Sequence, residues 1–154
     1  MGRIMKFFLD TASLEEIEKW KPYGIVNGVT TNPSLLSKEN CNALERLKQI
    51  TAIVEGPVTA QVTSTSHEKM ILQAKSLAKL ANNILIKLPA TSEGFLAAKE
   101  LVKNQISCNI TLTFDPAQAI QFCLLPVNYV SLILGRTEDF GIRDLNRVKQ
   151  LRDI

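Results

Sequence analysis

Short apolar runs alternate along this chain with stretches in which apolar residues recur every three or four positions. The runs fall at residues 7–10, 25–30, 58–63, 84–88, 106–111 and 129–134. They are brief, rich in Val, Ile and Leu, and show little strict apolar–polar alternation, which is the pattern of parallel strands covered on both faces. The intervening stretches have helical spacing. Ala43, Leu44, Leu47 and Ile50 share one face, as do Met70, Ala74, Leu77, Ala78 and Ala81, and again Leu96, Ala97, Leu101 and Val102. Residues 142–154 continue the pattern through Leu145, Val148 and Leu151. Ser13-Leu-Glu-Glu16 and Thr65-Ser-His-Glu68 have the spacing of capping boxes, predicting helix starts at both places.

Strand-then-helix alternation implies parallel strands joined by right-handed crossovers. Two architectures satisfy it: an open doubly wound sheet and a (β/α)8 barrel. No linker, low-complexity tract or strong repeat interrupts the pattern, and 154 residues predict one domain. With 45% hydrophobic residues the chain can bury a core. Its net charge of +3 is spread along the helical stretches and only 6% of residues are aromatic, which argues against a nucleic-acid surface.

No run approaches the ~20 apolar residues of a membrane span. Phe7 to Leu9 is too short for a signal-peptide core, and Lys6 stands where a myristoylation start needs Ser or Thr. Cys41, Cys108 and Cys123 are odd in number and lack a C-x-x-C, so reduced thiols and a cytoplasmic location are expected. His67 is the single histidine, which argues against zinc hydrolases, His-based triads and metal-dependent aldolases.

Polar residues choose between the two architectures. Near the C-terminal end of each apolar run stand Asp10; Thr30, Thr31 and Asn32; Gln61; Lys87; Asn109 and Thr111; and Ser131. Each alone is compatible with a strand-end cap or a turn. Six successive repetitions favour a barrel, where strand C-termini converge on the face that carries chemistry. Lys87 stands inside an apolar strand, where an ammonium is costly to desolvate. It either snorkels past Pro89 to solvent or carries a lowered pKa, leaving a neutral amine able to attack a carbonyl. Asp10 suits proton transfer once an imine exists, and equally suits the N-terminal end of the following helix. The Gln61 amide can hold a water or a hydroxyl. Arg136 can meet a phosphate or be an ordinary surface arginine. His67 reads as a first-turn surface residue of its helix.

These residues lie in sequence words that resemble the transaldolase family, in its short-chain branch together with the fructose-6-phosphate aldolases. The words are Lys6-Phe-Phe-Leu-Asp-Thr-Ala12, Gly28-Val-Thr-Thr-Asn-Pro-Ser34, Ala60-Gln-Val62, Ile86-Lys-Leu-Pro89, Cys108-Asn-Ile-Thr-Leu-Thr-Phe114 with Pro116-Ala-Gln118, and Tyr129-Val-Ser131 with Gly135-Arg136. They run in order from near Met5 to about residue 140. The resemblance implies a (β/α)8 barrel enzyme that works through a lysine Schiff base, without metal or other cofactor. It implies that Lys87 forms the imine with a ketose phosphate, fructose 6-phosphate or sedoheptulose 7-phosphate. Asp10 would handle the proton of the hydroxyl at the breaking carbon–carbon bond. Thr111 and the residue at position 61 would place a water. Thr30, Asn32, Asn109 and Ser131 would bind the dihydroxyacetone unit, and Arg136 the phosphate. A transaldolase of the pentose phosphate pathway passes that unit to an aldose phosphate; a fructose-6-phosphate aldolase releases it.

Departures divide the two activities. Gln61 stands where transaldolases usually carry Glu and looks more like the aldolases, whereas Ile133 lacks the tyrosine hydroxyl typical of the aldolases. Asn109 and Ser131 in their context look transaldolase-like, and transaldolase is the expected activity. The chain also stops short of the roughly 200 residues of a complete barrel. It is expected to be a single truncated barrel domain of about six βα units, with strands seven and eight missing. Two readings follow: a fragment, inactive or kept as an assembly partner, or a barrel whose gap a second chain covers in a homo-oligomer. Sugar phosphates are the expected partners. Pyridoxal phosphate on Lys87 is disfavoured, since its pyridinium and phosphate partners are not evident.

Overall fold

The computed structural model describes residues 5–139, 141 and 144–153. Among them, six strands form one parallel sheet: β1 (Phe7–Asp10), β2 (Val26–Thr30), β3 (Val58–Gln61), β4 (Ile84–Pro89), β5 (Cys108–Thr113) and β6 (Tyr129–Leu132). The helices are α1 (Leu14–Trp20), α2 (Pro33–Ser37), α3 (Ala43–Ile53), α4 (His67–Ala78), α5 (Ser92–Lys103), α6 (Pro116–Cys123), α7 (Gly135–Asp139) and α8 (Asn146–Asp153). Spatial order in the sheet equals chain order, from β1 to β6. A doubly wound sheet reverses its order at a switch point, so that alternative is excluded. Crossovers of one hand in one direction place the helices on one face, and the sheet curls into an incomplete (β/α) barrel.

Ring contacts mark the curl. Phe8 on β1 meets Tyr129 on β6, the other end of the sheet, with centroids 5.6 Å apart at 69°. Gly28 on β2 makes room for this packing, because a Cβ there would stand 2.4 Å from the Phe8 ring.

The strands alternate more than their apolar character suggests. Val58, Ala60 and Val62, then Ile84, Ile86 and Leu88, then Cys108 and Ile110 belong to the buried core with the helices. Residues one position away, Thr59, Gln61, Lys87, Asn109 and Thr111, therefore share the concave face. On the helix side, Leu47 and Ile50 of α3, Met70, Ala74 and Leu77 of α4, and Ala97, Ala98 and Leu101 of α5 are buried. Leu44 and Leu96, expected on those faces, are instead 49% and 44% exposed. Leu44 lies in the first turn of α3, ahead of the buried Leu47 and Ile50, and Leu96 lies outside the stripe formed by Gly94, Ala97, Ala98 and Leu101. Phe122 of α6 is fully buried, edge-on to Phe95 of α5 at 5.7 Å.

Ser13 caps α1 as predicted, its side chain accepting from the Glu16 N–H at 3.3 Å. The box expected at Thr65-Ser-His-Glu68 does not form, since Ser66 occupies the cap without a side-chain hydrogen bond. A carboxylate from the next helix replaces it. The His67 N–H donates to Glu93 Oε2 at 2.7 Å, and His67 Nδ1 lies 2.7 Å from the same oxygen. Glu68 approaches His67 Nε2 at 3.2 Å. An ionised acceptor at a helix N-terminus outcompetes a neutral hydroxyl. The His67 backbone N–H, and then its ring, hold the Glu93 carboxyl below the usual carboxylate range. A complete capping box appears at Asp115 and Gln118 of α6. Of the helix expected over 142–154, α8 covers Asn146–Asp153, while Ile142 and Ile154 lie outside the described residues.

Phe122→Ala is expected to cost about 3–5 kcal/mol, as large-to-alanine changes in full burial do. Urea unfolding compared with the parent protein checks this.

Candidate active site

A cavity of about 1000 Å³ opens at the C-terminal ends of the strands. Asp10, Asn32, Gln61, Lys87, Thr111 and Arg136 all line it. Five of these, from five separate segments, converge where the polar-ring pattern places them, and Arg136 joins them from the start of α7. Thr30, Asn109 and Ser131 stand behind this lining, joined to it by hydrogen bonds or register. Thr30 pairs with Asp10 across β1 and β2 and donates its hydroxyl to Asp10 Oδ1 at 2.7 Å, which orients the carboxylate. Asn109 is buried beside Lys87 in the β4–β5 register and accepts from Ser131 Oγ at 2.9 Å.

Lys87 lies at the centre of the arrangement. Its neighbours in register are Gln61 on β3 and Asn109 on β5. The side chain is only 8% exposed, and Nζ donates to the Thr31 carbonyl at 3.3 Å. Burial lowers its pKa below the ordinary lysine value, and the Asp10 charge opposes that shift in part. The snorkelling alternative is thereby disfavoured: the head group turns inward to the cavity rather than out past Pro89.

The other lining groups are placed by local chain geometry. Asn32 is extended and caps α2, its Oδ1 accepting from the Leu35 N–H at 2.9 Å. The β5 strand bulges between Ile110 and Thr113, and Leu112 adopts a left-handed φ of 59°. Such a conformation costs a non-glycine residue about 1–2 kcal/mol. It allows consecutive residues, Thr111 and Leu112, both to reach the cavity, where a regular strand would present only one. Thr113 Oγ1, just beyond the bulge, is buried with no hydrogen-bond partner among the described residues. Ile133 and Leu134 supply an apolar wall next to Gly135 and Arg136 of α7.

Two features were absent from the sequence reading. The bulge at Leu112 has no Gly, Asn or Pro to announce it. Thr59 is fully buried one period below Gln61 and bonds to Thr31 across the β2–β3 seam; its two-residue spacing from Gln61 was the available signal. His67, with Glu68 and Glu93, lies outside the cavity lining. The arrangement offers a desolvated amine, a carboxylate held by a hydroxyl, neutral hydrogen-bonding groups on both sides, and, from α7, the Arg136 guanidinium with the Asp139 carboxylate.

Comparison with known proteins agrees with this geometry. The family model described as "Transaldolase/Fructose-6-phosphate aldolase" matches residues 7–154. A "Probable transaldolase" from Citrifermentans bemidjiense is 45% identical over 150 residues, covering 97% of this chain and 70% of that protein. One from a Geobacillus species is 47% identical with the same coverage. Another, from Clostridium kluyveri, is 44% identical over 147 residues, covering 96% of this chain and 68% of its own length. With nearly its whole length matched and its polar ring assembled at the strand ends, the chain belongs to the transaldolase/fructose-6-phosphate aldolase family.

Proposed function

We propose that the protein is a transaldolase, taking a dihydroxyacetone unit from a ketose phosphate and passing it to an aldose phosphate through an imine on Lys87. The observation that carries this reading is the Lys87 amine, buried at the centre of a large polar-lined cavity. A neutral amine is the nucleophile this chemistry needs, and burial shifts Lys87 toward it while the Asp10 charge opposes that shift in part.

The Lys87 Nζ lone pair attacks the ketone carbon, giving a carbinolamine. A proton delivered through a water held in the cavity lets the carbinolamine hydroxyl leave as water, and an iminium remains. Asp10 then takes the proton from the hydroxyl on the carbon beyond the bond to be broken. The carbon–carbon electron pair flows toward the iminium nitrogen, releasing an aldose phosphate and leaving an enamine. That enamine attacks the carbonyl of an acceptor aldose, whose oxygen recovers the proton from Asp10. Water then hydrolyses the imine and frees Lys87. Thr111 and Gln61, both on the cavity wall, are suited to hold that water. Asn32, Asn109, Ser131 and Thr30 surround the three-carbon unit, and Arg136 meets the phosphate.

One observation favours the aldolase alternative. Gln61, adjacent to Lys87, is an amide where transaldolases usually carry Glu, which looks more like the fructose-6-phosphate aldolases. If the enamine is protonated by water rather than captured, free dihydroxyacetone accumulates from fructose 6-phosphate even when an acceptor aldose phosphate is present. Transfer predicts that the acceptor is consumed instead.

Borohydride reduction with fructose 6-phosphate is expected to fix a mass adduct on Lys87, mapped by peptide mass spectrometry. Well-folded protein that gives no adduct would refute the proposal. Asp10→Asn is expected to retain the adduct but to slow cleavage about 10²–10⁴-fold, the usual contribution of a positioned acid–base group.

Lys87 also carries a stability signature. Its pKa is lowered from the ordinary 10.5 on folding, so the unfolded chain holds more protons between the folded value and 10.5. Its contribution to stability therefore rises with pH across that window. Lys87→Met is expected to be the more stable protein near neutral pH, with the gap closing toward about 10.5. Urea midpoints across that range check the sign.

A further inference from the structure

We propose that Thr59 is a positioning residue for Lys87, its hydroxyl fixing the Thr31 carbonyl that receives the lysine amine. The inference rests on the reading of Lys87 as the imine-forming group and concerns how that amine is aimed.

The β2–β3 ladder has a single register pair, Val29 with Val58, supported by the Val29 N–H on the Pro57 carbonyl at 2.9 Å. A regular parallel ladder would continue by sending the Thr31 N–H to the Thr59 carbonyl and the Gln61 N–H to the Thr31 carbonyl. Side chains take over instead. The Thr31 N–H donates to Thr59 Oγ1 at 2.8 Å, and Thr31 Oγ1 donates to the Thr59 carbonyl at 2.6 Å. The Thr59 hydroxyl proton then points to the Thr31 carbonyl, 3.4 Å away. That carbonyl, released from the ladder, also accepts from Lys87 Nζ at 3.3 Å. Both threonines have no exposed surface, so water does not compete for these bonds.

The substitution of side chains for ladder bonds thus turns a strand carbonyl into a fixed acceptor for the amine. A lysine stem has four flexible torsions, and an untethered amine samples many directions. Once neutral, an amine that donates one hydrogen to a fixed carbonyl has its lone pair directed elsewhere, and the cavity is the side left open. Orientation of this kind acts on the rate of attack and not only on folding. The same acceptor favours the protonated form, because a carbonyl bonds an ammonium more strongly than an amine.

Thr59→Val keeps the shape and removes the hydroxyl. The Thr31 hydroxyl still ties the two strands, so the variant is expected to fold. Two readouts decide the matter. The first is the rate of borohydride-trapped adduct with fructose 6-phosphate against pH. Its high-pH plateau, where the amine is neutral in every variant, should fall about tenfold in Thr59→Val, the worth of one aligning hydrogen bond. The second is direct titration of the Lys87 side-chain nitrogen by NMR, which needs no substrate. Its midpoint should move down in Thr59→Val. Thr59→Ser, which keeps the hydroxyl and loses the methyl, should match the parent protein in both.

A purely structural role would lower the urea midpoint of Thr59→Val while leaving plateau and titration unchanged, and that result overturns the proposal. If Thr59→Val lacks a native spectrum, Thr59→Ala, which also removes the hydroxyl, takes its place: a lowered plateau and midpoint support the proposal and parental values overturn it. If the parent protein forms no adduct, the functional reading fails by itself. The nitrogen titration still tests the link from Thr59 to Lys87, an unmoved midpoint rejecting it.

Discussion

Removing an ammonium from water costs more free energy than any one hydrogen bond on the concave face returns. Lys87 is nonetheless placed there, on a central strand, with a backbone carbonyl as its recorded hydrogen-bond acceptor and one carboxylate acting on it through the cavity. Burial is the larger influence and the Asp10 charge the smaller one, so the amine loses protons more readily than a surface lysine. The other polar groups of the ring can be understood from this arrangement. Gln61, Asn109 and Thr111 are neutral, and they surround the amine with hydrogen-bonding capacity without adding a second carboxylate to stabilise its charge. Asp10, the acid–base group of the proposed chemistry, is held by Thr30 instead.

The fold was legible because parallel strands advertise themselves. Both faces are covered, by helices outside and by neighbouring side chains inside, so the strands appear as apolar runs whose order follows the chain. What remained hidden was the alternation inside those runs. Val58, Ala60 and Val62 face the helices while Thr59 and Gln61 share the concave face, yet a small threonine in an apolar run hardly breaks it. Strand ends were also misplaced where local geometry departs from the ideal. β2 stops pairing with β3 beyond Val29 because Thr31 and Thr59 side chains replace the ladder, and β5 reaches Thr113 through a left-handed leucine.

The site was legible in its membership and less so in its connections. Asp10, Asn32, Gln61, Lys87, Thr111 and Arg136 converge on one cavity because strand C-termini in a curled sheet must converge. Sequence spacing carries that information. It does not carry which hydroxyl faces which carboxylate, so the Thr30–Asp10 and Ser131–Asn109 pairs emerged only in three dimensions. The cap of α4 is a similar case. Thr65 and Glu68 had the spacing of a local box, but a carboxylate from α5, distant in the chain, supplied a stronger acceptor.

That carboxylate has a wider consequence. The N-termini of α4 and α5 follow the ends of β3 and β4, the strands that carry Gln61 and Lys87. The Glu93–His67 bond staples these two connections together on the rim. The same bond holds the Glu93 carboxyl below the usual carboxylate range, so acid weakens the staple only as that carboxylate takes up a proton. Through that bond the connections that follow the third and fourth strands are held to one another by a contact between residues 26 positions apart in the chain.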